Sequence, residues 1–340
     1  MFNRGALILA VFGSFACGCA MDAGKRTARP NGWAIAIHGG AGAITRNDSK
    51  ELEAAYRQSL AKVLEEGRAR LASGQSSVEV CEALVRMMED DELFNAGKGA
   101  TLTERGEAEL DAAIMDGGTE TTAMKAGAVA GVRTVKNPIS LARQVMERTP
   151  HVLLIGAGAE DFAAAMGVER VPNEYFVTER RRRQLEVELA KRKRPAAMDE
   201  ATSPSKYGTV GVVALDASGR LAAATSTGGM TGKMPGRVGD APIIGAGTYA
   251  DNIVAVSCTG TGEQFIRHAV ASGIATRMQL RGEGVQQAAD YYIFNALNPK
   301  DGGLIALDSK GNIAMPFSSA GMYRGAADSE GRFEVLIWDD

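Results

Sequence analysis

Short apolar runs alternate along the chain with stretches in which apolar residues recur every three or four positions. "WAIAIH" (33–38) is a run of the first kind, ends at a glycine turn and predicts a buried strand. Two helical stretches follow. The first is predicted to begin near Asp48, with Glu51 three residues on as a capping box; Leu52, Tyr56, Leu60, Val63 and Leu64 form its apolar face. The second begins at Ser76 with Glu79 in the same relation, and its stripe is Val80, Leu84 and Met88. A glycine-rich loop then leads into a strand ending at Asp116, and "AMKAGAVAGV" (123–132) reads as another buried strand. "NPISLARQVMER" places Pro138 at a helix start, "HVLLIG" reads as a strand and "EDFAAAMG" as a short helix.

From about Glu174 to Tyr207 the character changes. "ERRRRQLEVELAKRKRPAAMDEATSPSKYG" is highly charged and finishes in Pro, Ser and Thr, as a solvated helix running into a flexible linker would. After Thr209 the apolar pattern resumes, with strands predicted at 210–216, 221–225 and 253–258. Helices are predicted from about 263 and over 285–297, and "GGLIALDSKGNIAMPF" reads as a hairpin with a Lys-Gly turn. This order suggests α+β layers in one domain interrupted by a linker.

Composition narrows the class. The chain has 340 residues, 45% of them hydrophobic, enough for a sizeable core. Its 41 glycines exceed the usual share of about 7% and cluster in "HGGAGA", "STGGM" and "CTGTGE", turns where backbone can approach a ligand. A net charge of −3 leaves no general nucleic-acid footprint, and the "RRRR" and "KRKR" runs carry interspersed acids without stacking aromatics. The first 20 residues differ from the rest: one Arg, an apolar stretch from Ala6 to Phe15, then small residues. That is the layout of a secretory signal too short to span a bilayer, and it predicts an exported, periplasmic protein. A start at Met21 would discard that signal and leave the protein in the cytoplasm. Cys17 and Cys19 lie in this segment, which leaves Cys81 and Cys258, and no Cys/His cluster has zinc-ligand spacing.

The chemistry begins at "KYGTVGVVALDASG" (206–219). A threonine hydroxyl is a weak nucleophile without a base, and an N-terminal threonine carries one in its own α-amine. The α-amino pKa of roughly 7.7–8.0 suits that role. Inside a chain such a residue must first be freed, and its hydroxyl can do this by attacking the preceding carbonyl. A flexible linker, then Gly208, then Thr209, then a buried strand is the arrangement this requires. By itself a Gly-Thr pair is weak evidence.

The surroundings are more specific. "AIHGGAGAI", "LFNAGKGA", "LDAAIMDG", "GTVGVVALDASGRLAAATSTGGMTGKMPGRVGDAPIIGAGTYADN", "VAVSCTGTGE" and "GMYRG" occur in this order over most of the chain. They closely resemble the plant-type asparaginase/isoaspartyl peptidase family of N-terminal nucleophile hydrolases. The resemblance implies a four-layer αββα sandwich in which residues 30–208 form an α subunit, with a flexible linker at about 174–208, and residues 209–340 a β subunit. It implies Thr209 as nucleophile, cleavage between Gly208 and Thr209, and Thr227 as the hydroxyl that holds and polarises Thr209. Arg237 and Asp240 would read the carboxylate and ammonium of an amino-acid moiety, chemistry that a guanidinium fork and a carboxylate supply. Thr259 and Gly260 would form the oxyanion hole. Gly262 would line the substrate, and Asn95 would orient the threonine.

The resemblance further implies a structural sodium ion on backbone carbonyls of Met88, Glu89, Asp91, Phe94, Ala96 and Lys98, although an acidic surface turn would read the same way. No organic cofactor is expected, and the glycine motifs do not complete a dinucleotide fingerprint. His38, His151 and His268 lack a triad context and read as core or surface residues. The expected partners are small molecules, L-asparagine and isoaspartyl dipeptides, with no nucleic acid and no membrane span. A dimer of αβ heterodimers is implied. Two alternatives stay open: a glycosylasparaginase-like hydrolase, and an exported amino-acid-binding protein of the same fold that does not cleave.

Overall fold

The computed structural model describes residues 32–42, 46, 49–119, 121–193 and 208–339. The expected signal segment (1–20), Met21 and residues 194–207 lie outside the described residues.

The first apolar run is strand β1 (Ala34–Ala41), longer than predicted because it continues through the glycine pair. Helix α1 (Lys50–Ala72) is capped by Ser49, whose Oγ accepts the Leu52 N–H at 3.2 Å. The expected cap, Asp48, lies outside the described residues. Helix α2 (Ser77–Glu89) has the predicted capping box, with Ser76 and Glu79 satisfying each other's backbone N–H groups. Strands β2 (Leu110–Asp116) and β3 (Lys125–Val132) follow, then helix α3 (Pro138–Arg148) with Pro138 in its first turn. Strand β4 (Leu153–Ile155) leads directly into helix α4 (Gly156–Ala165). Within the stretch read as solvated helix and linker, a 3₁₀ turn (Asn173–Phe176) and helix α5 (Glu179–Arg192) are ordered, and Phe176, Arg181 and Leu185 are buried.

Past Gly208 come β5 (Val210–Leu215), β6 (Leu221–Thr227), β7 (Thr248–Ala250) and β8 (Val254–Gly260). Helices α6 (Gly262–His268) and α7 (Val270–Arg281) are separated at Ala269, which adopts a left-handed φ of 45°. Helix α8 (Val285–Tyr291) continues into a π turn. The chain closes with β9 (Gly302–Asp308), β10 (Ile313–Ala314), β11 (Met322–Asp328) and β12 (Phe333–Leu336).

One sheet runs β12-β11-β1-β5-β6-β2-β3-β4 and the other β10-β9-β8-β7. Strand alternation separates three cores. Ile35 and Ile37 of β1, Val210 and Val212 of β5, and Ala222 and Ala224 of β6 face α1, α2 and α3. The intervening Ala34, Ala36, Val213, Leu215, Leu221 and Ala223 face Ala255, Ile305 and Leu307 of the second sheet. Val254, Val256, Leu304 and Ala306 turn their backs on that layer and pack under α7 and α8. Helices, sheet, sheet, helices: the αββα order follows from which face each residue occupies.

Cys81 and Cys258 are free, buried thiols in two different cores.

Candidate active site

Antiparallel pairing brings one end of several strands together. The start of β5 lies beside the end of β1, with His38 opposite Gly211, and beside the end of β6, with Val210 opposite Ser226. On the inner face of β6 the apolar series Leu221, Ala223 gives way to Thr225 and Thr227, and on β8 Ala255 gives way to Ser257 and Thr259. The gap between the sheets is thus apolar along most of its length and lined with hydroxyls at one end.

Thr209 sits there, just ahead of β5, and is buried. Its Oγ1 lies 2.8 Å from the Gly208 carbonyl oxygen and 3.2 Å from Thr227 Oγ1. Thr227 Oγ1 also reaches the Gly208 carbonyl at 3.1 Å and accepts the Gly229 N–H at 2.9 Å. Asn95 Nδ2 donates to the Gly208 carbonyl at 2.7 Å and to the Gly229 carbonyl at 2.8 Å, while its Oδ1 accepts the Thr101 N–H at 2.7 Å. With both amide ends occupied, Asn95 has one orientation. The Gly208 carbonyl therefore sits among hydroxyl and amide donors beside the Thr209 hydroxyl, an arrangement that polarises it.

Gly40 has a φ of 115°, and a Cβ there would come 2.8 Å from Gly208 Cα, so only glycine lets the β1 turn approach this bond. The next residue, Ala41, donates its N–H to Thr259 Oγ1 at 3.2 Å, which ties the turn to β8. Gly260 closes β8 at a φ of 153°, a conformation that residues with a side chain rarely adopt, and a Cβ there would come 2.0 Å from the Asp301 carbonyl oxygen.

The second half of the site is a charged pair. Asp240 is buried, its Oδ2 has no hydrogen-bond partner, and burial pushes its carboxyl up to about 7 against the pull of its own backbone N–H and of Arg237. A buried acceptor without a donor suits an incoming ammonium group. Gly262 backs this pair: a Cβ there would lie 2.8 Å from Asp240 Oδ1 and 2.9 Å from Arg237 Nη2. Arg237 already holds a carboxylate on one edge, with Nε and Nη2 each 2.9 Å from Glu263 oxygens. Hydrogen bonding to Arg237 in turn holds the Glu263 carboxyl below its ordinary range. The sequence carried no sign of this contact beyond Glu263 standing next to Gly262.

The 88–98 segment is the end of α2 and the tight loop that follows it. Its acidic side chains are engaged in local structure: Asp91 accepts from Ser59 Oγ and the Leu93 N–H, and Glu89 accepts from Ser226 Oγ at 2.7 Å and the Ile139 N–H at 3.1 Å. Burial pushes the Glu89 carboxyl up to about 8. The carbonyls of Met88, Glu89 and Asp91 each accept a backbone N–H, from Asp91, Lys98 and Phe94. Phe94 and Ala96 are buried, and Lys98 lies 3.9 Å from Glu92. No group of three or more His, Cys, Asp or Glu able to hold a metal occurs among the described residues.

The structure thus brings together Asn95, Gly208, Thr209 and Thr227, and groups Arg237, Asp240 and Gly262. Thr259 is joined to the first cluster through Ala41. Gly40, Thr101 and Glu263 were not singled out from the sequence; "HGGAGA" was the only signal for the first.

A four-layer αββα sandwich of the N-terminal nucleophile hydrolase type, with a buried threonine at the hydroxyl-lined end of its two sheets, defines an amide-bond hydrolase. The particular family is equally plain: the chain belongs to the asparaginase family whose model matches residues 31–337. The isoaspartyl peptidase of Escherichia coli (strain K12) is 51% identical over 299 residues, covering 85% of this chain and 91% of that protein. The probable isoaspartyl peptidase/L-asparaginase 2 of Arabidopsis thaliana is 44% identical over 330 residues, 91% of this chain and 99% of its own. The isoaspartyl peptidase/L-asparaginase of Mus musculus is 43% identical over 307 residues, 89% and 90% of the two chains.

Proposed function

We propose that this protein cleaves itself between Gly208 and Thr209 and then hydrolyses isoaspartyl dipeptides and L-asparagine, as the names of its relatives suggest. The observation that carries the reading is Thr209 Oγ1, placed between Thr227 Oγ1 and a Gly208 carbonyl that Asn95 holds.

In the first stage Thr209 Oγ attacks the Gly208 carbonyl carbon, the C–N bond breaks, and the acyl group passes from nitrogen to oxygen. Water hydrolyses the ester, leaving a Gly208 carboxylate and a free Thr209 α-amine. In the second stage that amine takes the proton from Oγ, and Oγ attacks the β-carbonyl of an aspartyl substrate. Donors at Thr259 and Gly260 face the oxyanion. The C–N bond breaks, the amine product leaves with the proton, and water releases aspartate from the ester. Arg237 offers its remaining guanidinium edge to the substrate α-carboxylate, and Asp240 Oδ2 takes the α-ammonium.

Under this reading the Met88, Glu89, Asp91, Phe94, Ala96 and Lys98 carbonyls would hold a sodium ion. The Glu89 and Asp91 carbonyls each keep a second lone pair after accepting one N–H, and neutral oxygen donors suit a hard cation. The reading extends to a dimer of cleaved αβ units and to export directed by the first 20 residues.

Denaturing mass spectrometry tests the nucleophile. The purified chain should separate into two pieces with Thr209 at a new N-terminus, and Thr209→Ala should stay full length. A Thr209→Ala protein that still splits at Gly208 would overturn the assignment.

A further inference from the structure

Behind Thr209 lies a buried row of polar side chains that the proposed chemistry leaves unused. Strand register puts His38, Gly211 and Thr225 in one line across β1, β5 and β6, on the face toward the second sheet. In that sheet Thr248 stands opposite Ser257. All four polar side chains have no exposed surface. His38 Nδ1 lies 2.9 Å from the Thr209 carbonyl oxygen and Nε2 lies 2.9 Å from Ser257 Oγ. Ser257 Oγ is 2.7 Å from Thr225 Oγ1, which is 2.6 Å from Thr248 Oγ1. Gly211 makes the room: a Cβ there would come 2.0 Å from Ser257 Oγ and 2.3 Å from His38 Nε2.

A carbonyl only accepts, so Nδ1 must carry the hydrogen. Burial pushes the His38 pKa down to about 3, the ring is neutral, and Nε2 is a bare acceptor. Ser257 must then donate to Nε2 and accept from Thr225, because each hydroxyl has one hydrogen. The direction of the whole row is set at Thr209.

The backbone ladders end at Gly211 toward β1 and at Val210 toward β6, so the Thr209 carbonyl lies beyond both. A residue freed at its N-terminal side has one covalent neighbour, and rotation about its Cα–C bond decides where amine and hydroxyl point. We propose that His38, backed by Ser257, Thr225 and Thr248, is a positioning residue that clamps the Thr209 carbonyl. The inference rests on Thr209 being the nucleophile.

The test compares wild type, His38→Phe, His38→Asn and Ser257→Ala on a β-aspartyl dipeptide, with rates normalised to the cleaved fraction. Long-range ¹H–¹⁵N spectra of the wild-type imidazole give the tautomer. The expected results are an Nδ1–H tautomer and a kcat for His38→Phe lower by about 10- to 100-fold with little change in KM. His38→Asn, whose amide N–H can take the place of Nδ1–H, should recover much of that loss, and Ser257→Ala should remain folded, with a lowered melting temperature, and lower kcat. An Nε2–H tautomer overturns the clamp, as does a folded His38→Phe with wild-type kcat. If His38→Phe does not fold, Ser257→Ala decides, and wild-type kcat there overturns the proposal. An uncut, inactive wild type would instead sink the nucleophile reading, whereas an active wild type indifferent to these changes sinks only the clamp.

Discussion

Asp240 is a carboxylate placed where water cannot stabilise it. Burial raises it to about 7, so near neutrality the empty site is divided between a neutral acid and a carboxylate. Only the carboxylate attracts a substrate ammonium. Raising the pH through about 7 should therefore raise kcat/KM. Once bound, the ammonium pulls the Asp240 pKa down, so the same limb should be absent from kcat, whereas a limb from the Thr209 amine would appear in both. Asp240→Asn should lower kcat/KM and remove the limb confined to that parameter; pH profiles of both parameters check this. Single residues were unevenly legible. Gly208 and Thr209 stand together in the chain, and "GRVGD" carries both Arg237 and Asp240. His38 read only as a core or surface residue, because its partners Thr209 and Ser257 are 171 and 219 positions away.

Helix α5 shows how an element can be identified from its pattern while its role is missed. Its arginines read as a solvated charged face, yet they hold backbone carbonyls around the site. Arg180 Nη2 donates to the Leu93 carbonyl at 2.6 Å, and Arg181 Nε donates to that of Gly99, so the two bracket the Asn95 loop. Burial lowers the Arg181 pKa to about 9. At the far end Arg192 Nη1 donates to the Gly232 carbonyl at 2.8 Å, on the stretch that leads to Arg237 and Asp240. Arg192 is half-exposed, so Arg192→Ala should fold normally. Steady-state kinetics should give a KM raised by about three- to tenfold, the loss of one charged hydrogen bond, with kcat nearly unchanged. Elements with a clean local signal matched expectation, including the Ser76 capping box and the Pro138 helix start. Strand β11 did not stand out, since Arg324 and Gly325 interrupt its apolar run; pairing with β1 makes it a strand.

In the whole molecule, the spacing of the two sheets sets the site. Ile305 fills the layer between them with Val213, Leu215, Leu307 and Met322, and is fully buried. Ile305→Ala should cost about 2–5 kcal/mol in urea unfolding, the usual range for such a cavity. It should also lower kcat, because Ser257 and Thr259 approach His38 and Ala41 across this layer. The sequence by itself determined what depends on neighbours along the chain: which segments are apolar, where helices start, the Gly-Thr pair and the glycine turns. Tertiary structure decided which hydroxyls meet Thr209, that Glu263 occupies one edge of Arg237, and that His38 tethers the Thr209 carbonyl. Those contacts depend on strand register and sheet-on-sheet packing, which bring together residues 18 to 171 positions apart and leave no local pattern.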